Sequence, residues 1–167
     1  MRESTEIIGA ARSALDSHPF GFLATLSSAG APSLRLVQHL GVDYDLTVWI
    51  GTSPRSRKAR EIGAGARVCY AVENRGSIGY LTVTGDADIV VDDELRQAKW
   101  IPGLKSFFPG GAVGDDFVLI RLRADTVELM DFALAIHPDP FGLRPALAVF
   151  DGEEWTVRDN RPPAAAG

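Results

Sequence analysis

The sequence predicts a mainly β protein, a closed or nearly closed antiparallel β-barrel with a few short helices. Three observations carry that expectation. Runs rich in β-branched and aromatic residues recur along the chain, about six to eight of them. Most are joined by stretches too short for a crossover, such as "AGAP", "DYD" and "NRGS". The helical segments are too few to follow every strand, as a doubly wound parallel sheet requires.

The elements follow in order. Ile7, Ile8, Ala11 and Leu15 recur at helical spacing, so the spacing predicts an amphipathic helix over 4–17, with Ser4 or Thr5 as cap. "FGFLATLSS" reads as a strand, "SLRLVQHLGV" as its hairpin partner and "LTVWIG" as a third strand. Ser53 as N-cap and Pro54 at the first helical position predict a short helix over 54–63, stopped near Gly63 and Gly65. "ARVCYAVE" is a fourth strand and "IGYLTVTGDADIVV" a long fifth one, broken near Gly85. "DDELRQAKWI" is a helix with acidic caps, ended by Pro102, and the loop "PGLKSFFPGGAVGDD" follows. "FVLIRLRADTVELMDFAL" supplies one or two strands, and "PALAVFD" with "EWTVR" a last hairpin around "DGE". One domain is expected over 1–158, with 159–167 as a flexible C-terminal tail.

At 167 residues the chain is long enough for one well-buried core. A net charge of -5 argues against a phosphate-backbone partner, so no nucleic acid is expected. No run approaches the ~20 apolar residues of a membrane helix, no secretory leader is evident, and the single cysteine, Cys69, fits a reducing compartment; a cytoplasmic protein with no membrane partner is expected. Cys69 sits in the apolar run "RVCYAV" and is assigned to inert packing. His18, His39 and His137 are scattered, which gives no metal site. Trp49 and Trp155 are assigned to the core.

Against that acidic balance, "TSPRSRKAREI" crowds Arg55, Arg57, Lys58 and Arg60 into six residues at a helix start. Two accounts fit. The helix is solvated and Arg57 forms a weak pair with Glu61 one turn on, or an anion is drawn there by the cations and the Ser53 and Ser56 hydroxyls. In "SLRLVQHL", Ser33, Arg35, Val37 and His39 share one face, and Leu34, Leu36, Gln38 and Leu40 the other. With the Leu face packed into the core, Arg35 projects outward toward the next strand and its helix, where it can converge with Arg57 and Lys58. Such a cluster suits a phosphate monoester. The competing account is an Arg35 paired with a carboxylate.

The ordered set "RLV", "WIGTSPRSRKAREI" and "ARVCYAV" resembles the flavin-binding split-barrel family that includes pyridoxamine 5'-phosphate oxidase. "AKWIPGLKSFFPGG" and "DDFVLIRLRADTVELMD" look most like its general-stress-protein branch, and together the matches span about 18–132. The resemblance implies an FMN-binding split barrel of Greek-key-like order, with the FMN phosphate held by Arg35, Arg57 and Lys58 and with Ser56 and Thr52 nearby. It places the backbone of Val37, Gln38 and His39, and of Ile50, Gly51 and Thr52, beside the isoalloxazine ring. It also implies a homodimer with sites at the interface, where Trp100, Lys105 and Phe108 approach from the partner chain, and a flavin-dependent oxidoreductase served by a small-molecule electron donor and acceptor. Leu40 stands where the vitamin oxidase has a lysine, and Met130 where it has a tryptophan. The groups that hold pyridoxine phosphate are therefore missing, and true pyridoxamine 5'-phosphate oxidase activity is not expected. The alternatives are a deazaflavin coenzyme in the same barrel, and a protein that binds or senses flavin without turnover. No catalytic acid or base is evident.

Overall fold

The computed structural model describes residues 3–136 and 144–158. Eight antiparallel strands form one sheet in the order β3-β2-β1-β4-β5-β6-β7-β8, and an added β3–β6 pairing closes the first six into a barrel. The strands are β1 (Phe20–Leu26), β2 (Pro32–Val42), β3 (Thr47–Thr52), β4 (Ala66–Asn74), β5 (Gly79–Val90), β6 (Val118–Met130), β7 (Ala146–Phe150) and β8 (Trp155–Arg158). The first three form a meander and β4 returns beside β1, which is the Greek-key order. The helices are α1 (Ser4–Ser17), α2 (Arg57–Ile62) and α3 (Asp93–Ala98), with a 3₁₀ turn at Pro102–Ser106. The expected tail at 159–167 and His137 lie outside the described residues.

The segment expected to give one or two strands is the single strand β6, and it is the seam of the fold. Its first half pairs with β3, Val118 opposite Thr52 through Arg123 opposite Thr47. Its second half leaves β3 and takes β7 on the same edge, Thr126 opposite Val149 through Leu129 opposite Ala146. On its other edge β5 runs alongside throughout, with a register shift between Thr84 and Gly85. A Cβ at Gly85 would stand 1.8 Å from the Arg123 carbonyl oxygen, so the break read at Gly85 is a point of backbone contact.

Inside, Leu23, Val37, Val48, Ile50, Val68, Tyr70, Leu81, Val83, Ile120 and Leu122 pack into one core, which α1 extends with Ile7, Ala11 and Leu15. A smaller cluster covers the outward face of β3, where Trp49, Phe117, Leu104, Val90 and Leu119 are joined by Leu40, Trp100 and Phe108. Burial on both faces accounts for the continuous apolar run of β3. Trp49 is buried as expected. Cys69 is not in the core: it is half-buried on β4 between the fully inward Val68 and Tyr70.

Several boundaries move for local reasons. Ser53 and Pro54 do not open α2. They form a turn closed by the Ser56 N–H on the Ser53 carbonyl at 3.0 Å, a position where proline's fixed φ is equally at home. Ser56 is the cap, its hydroxyl accepting from the Ala59 N–H at 3.2 Å. Helix α1 is preceded by Glu3 without a side-chain cap. Helix α3 ends at Ala98, three residues short of the expected stop, because Arg96 turns inward. Its guanidinium donates to the carbonyls of Gly114 and Phe117, both at 2.8 Å, and so pins the long loop.

The largest correction concerns β2. Leu34 and Leu36 are 63% and 59% exposed, while Val37 and His39 are buried. The Arg35 face therefore points into the barrel and the leucine face points out. The reason lies in the pairing: β1 presents Leu23 and Thr25 inward, and Leu23 opposite Arg35 and Thr25 opposite Ser33 share that side of the sheet. His39 enters the interior as a satisfied group, its Nδ1 2.9 Å from the Tyr70 hydroxyl, with the Leu15 carbonyl as a second partner. Gly21 makes room for that hydroxyl, since a Cβ there would lie 2.6 Å from it.

Two predictions follow from this packing. Gly85→Ala should lower unfolding free energy by at least ~2 kcal/mol through backbone strain; an unchanged urea midpoint would show that β5 and β6 do not touch there. Burial holds the His39 pKa below its ordinary 6.5, against weaker opposing pulls from the Leu15 carbonyl and Asp16. Between those two values the unfolded chain binds more protons, so stability should fall as pH drops through 6.5 toward the folded value. Urea melts at pH 7.5 and 5.5 should show that loss, and His39→Gln should remove much of it.

Candidate functional site

Three cations and a carboxylate converge where β1, β2 and α2 meet. The Ser56 cap fixes the first turn of α2, and the buried Ala59 and Ile62 seat the helix against β1, β4 and β5. That seating turns Glu61 inward, and its side chain is only 8% exposed. Arg35 reaches it from β2, with Nη2 3.0 Å from Glu61 Oε2, while Nη1 donates to the Leu23 carbonyl at 3.1 Å and to the Thr25 hydroxyl. Thr25 and Ser33 also donate to the carboxylate, Ser33 at 3.2 Å. Arg57 closes the group from the same helix, Nε 3.7 Å from Glu61 Oε1. The Thr25 hydroxyl, then Ser33 and Arg35, hold the Glu61 pKa below the usual carboxylate range.

Lys58 is different. It is half-buried, and among the described residues no carboxylate pairs with it. Burial, and then repulsion from Arg35, lowers its pKa. Two residues before it in the chain, the Ser56 hydroxyl lies 3.1 Å from that of Thr52. An ammonium held in this way favours an anion that brings its own charge, and the neighbouring hydroxyls and the exposed Arg57 can complete its shell.

The ion-pair account of the basic segment holds: the Arg57–Glu61 pair forms and Arg35 has a carboxylate partner, while Lys58 has none among the described residues. Of the expected site residues, the structure brings Arg35, Thr52, Ser56, Arg57 and Lys58 into one neighbourhood. Val37, His39 and Ile50 have inward, buried side chains, so only their backbone is available to a ligand. Gln38 is half-buried on the outward face. Gly51 is covered, since a Cβ there would meet Phe117 at 2.8 Å. Trp100 and Phe108 each stack on Phe117 with ring centroids 5.0 Å apart, on the outward side of β3, and Lys105 is exposed beside them. Within one chain they do not join the inward cluster around Arg35.

Glu61, Thr25 and Ser33 were missed as members of the site. Glu61 was visible as a partner for Arg57 by helical spacing, whereas its bond to Arg35 depends on the side of β2 that faces inward. Among the described residues no group of three or more His, Cys, Asp or Glu side chains is arranged to hold a metal ion. No described helix is long and apolar enough to cross a membrane.

Solved structures share this architecture. General stress protein 26 from Bacillus anthracis str. Sterne superimposes with a TM-score of 0.66 at 20% identity, over 75% of this chain and 94% of that one. The general stress FMN/FAD binding protein of Xanthomonas citri gives 0.67 at 20% identity, over 83% and 98%. A Clostridium acetobutylicum protein related to general stress protein 26, of the pyridoxinephosphate oxidase family, gives 0.66 at 16%, over 75% and 89%. At these identities the likeness establishes the fold. No curated protein matches the chain. The family model described as "Pyridoxamine 5'-phosphate oxidase like" matches residues 8–133, a span that holds the whole barrel and every member of the charged cluster, and the chain belongs to that family.

Proposed function

We propose that this chain binds FMN through the Lys58 cluster and serves as a cytoplasmic, flavin-dependent redox protein of the general-stress type. The observation that carries the reading is Lys58, a half-buried ammonium with no carboxylate partner among the described residues, in the field of the Arg35 guanidinium and on the helix start that the Ser56 hydroxyl caps. A phosphate monoester fits that donor set. Lys58 supplies a point charge, the bonded Thr52–Ser56 hydroxyl pair keeps one hydrogen to donate, and Arg57 can turn to the ligand because it is 63% exposed. The Xanthomonas citri relative, described as binding FMN or FAD, supports a flavin over other phosphates.

The flavin would supply the redox chemistry, accepting electrons from one small molecule and passing them to another. The protein's own side chains bind and orient it. Glu61 and His39 are both committed elsewhere, Glu61 to Arg35 and Arg57 and His39 to Tyr70. We assign the specificity of turnover to the substrates and the cofactor rather than to a protein acid or base.

The protein is also proposed to act as a homodimer. Phe20, Phe22, Leu26, Leu34 and Leu36 line the outward face of the β1–β2 hairpin and are all about half exposed or more. Elsewhere the outer sheet is charged: Arg67 pairs with Asp86 and Asp125, and Asp88 with Arg121 and Arg123. An apolar stripe beside a charged face is the pattern of an association surface. The family resemblance implies that the partner's loop, with Trp100, Lys105 and Phe108, approaches the site in such a dimer.

The first test is the visible spectrum of purified protein and the mass of what denaturation releases. FMN supports the reading; a deazaflavin with a phosphodiester tail keeps the fold and replaces the cofactor; a colourless protein that takes up neither rejects it. Lys58→Ala should weaken FMN binding by roughly 1.5–3 kcal/mol and leave riboflavin affinity unchanged, and an equal loss for both ligands would place Lys58 away from the phosphate. Leu34→Asp with Leu36→Asp should yield a monomer in sedimentation that no longer holds FMN. A wild-type monomer that binds FMN would remove the interface from the proposal.

A further inference from the structure

We infer that Glu61 is a built-in competing anion: its carboxylate occupies Arg35 and Arg57 when no phosphate is present, and so sets how firmly this chain keeps a phosphate-bearing ligand. The inference rests on the flavin reading above.

The geometry separates two kinds of contact. Arg35 is held firmly, 17% exposed, with Glu61, Thr25 and the Leu23 carbonyl on its two terminal nitrogens. Arg57 is held loosely, through one nitrogen at 3.7 Å, with most of its side chain in solvent. A phosphate arriving at Lys58 can therefore recruit Arg57 by a small turn of its side chain. The charge of Arg35 is already balanced in place. The ligand competes for one guanidinium and meets the field of a carboxylate close by.

Glu61 then acts in opposite directions on the two states. In the free protein it separates three clustered cations, each of which repels the others. In the bound protein it repels the phosphate. Glu61 is also enclosed by Thr25 and Ser33, so it cannot swing out of the way as an exposed side chain would. The result is a flavin that exchanges with solution more readily than the number of cations suggests. That suits a protein that takes up and releases its cofactor, and it costs the chain some affinity to keep its empty form stable.

The test compares wild type, Glu61→Gln and Glu61→Asp, titrated with FMN and with riboflavin by flavin fluorescence, alongside the melting temperature of the free proteins. Gln removes the charge and keeps one acceptor oxygen, for Thr25 and Arg35, while its amide NH2 takes the place of the oxygen that accepts from Ser33, whose hydroxyl can turn to accept instead. Its FMN dissociation constant should fall about tenfold while that for riboflavin stays the same, since a like charge near a dianion is worth at least that much at an effective dielectric of ~20–40. Its free form should melt lower. FMN affinity that is unchanged or weaker, with riboflavin unchanged, overturns the inference and leaves Glu61 as a pin for α2. Should the Gln variant fail to fold, Glu61→Asp keeps the charge but withdraws it by one methylene from both guanidiniums. A smaller tightening for FMN is then expected, and none at all counts against the inference. Wild type that binds neither FMN nor riboflavin is a separate failure: it removes the flavin reading before any variant is made.

Discussion

The register between β1 and β2, Phe20 opposite Gln38 through Leu26 opposite Pro32, decides which side of the hairpin enters the barrel. Because side chains alternate along a strand, one choice places Ser33, Arg35, Val37 and His39 inside together and Leu34 and Leu36 outside together. Everything distinctive about this chain follows from that choice. It puts a guanidinium under α2, a histidine against Tyr70, and a row of leucines and phenylalanines in solvent.

Each inward polar group then needs a partner that is not nearby in sequence. Arg35 finds Glu61, Thr25 and the Leu23 carbonyl, and His39 finds Tyr70 and the end of α1. These bonds make polar residues acceptable in a barrel whose interior is otherwise mostly aliphatic. They also commit the groups involved. Among the described residues Lys58 is the cation of the cluster left without a carboxylate, and the neighbourhood's chemistry is defined by that remainder more than by the count of basic residues.

Much of this was legible in the chain. Strand count, antiparallel order and the last hairpin could be read from β-branched runs and short turns. The Ser56–Arg57–Lys58 segment could be read from its charge in an acidic protein. The face of β2 could not. Its leucines argue for the core by composition, and only the pairing with Leu23 and Thr25 shows that the arginine side is the inner one. The same limit hid Glu61, whose partner for Arg57 is set by helical spacing but whose partner for Arg35 is set by tertiary register. Pro54 misled for a related reason: a fixed φ serves a turn as well as a helix start, and the closing Ser56–Ser53 bond selects the turn.

The forked strand β6 has a consequence for how the chain reaches this state. The charged cluster is drawn from residues 23–61, within a meander and the helix that follows it, and its contacts close small loops. Barrel closure instead joins Thr47 to Arg123, far apart along the chain, and the β7–β8 flap docks beyond that. Loop entropy makes such distant pairing the slow event. The bonds among the cluster residues can therefore form early, while β3 still has a bare edge. That interval is when the chain is most vulnerable to pairing with the wrong copy of itself.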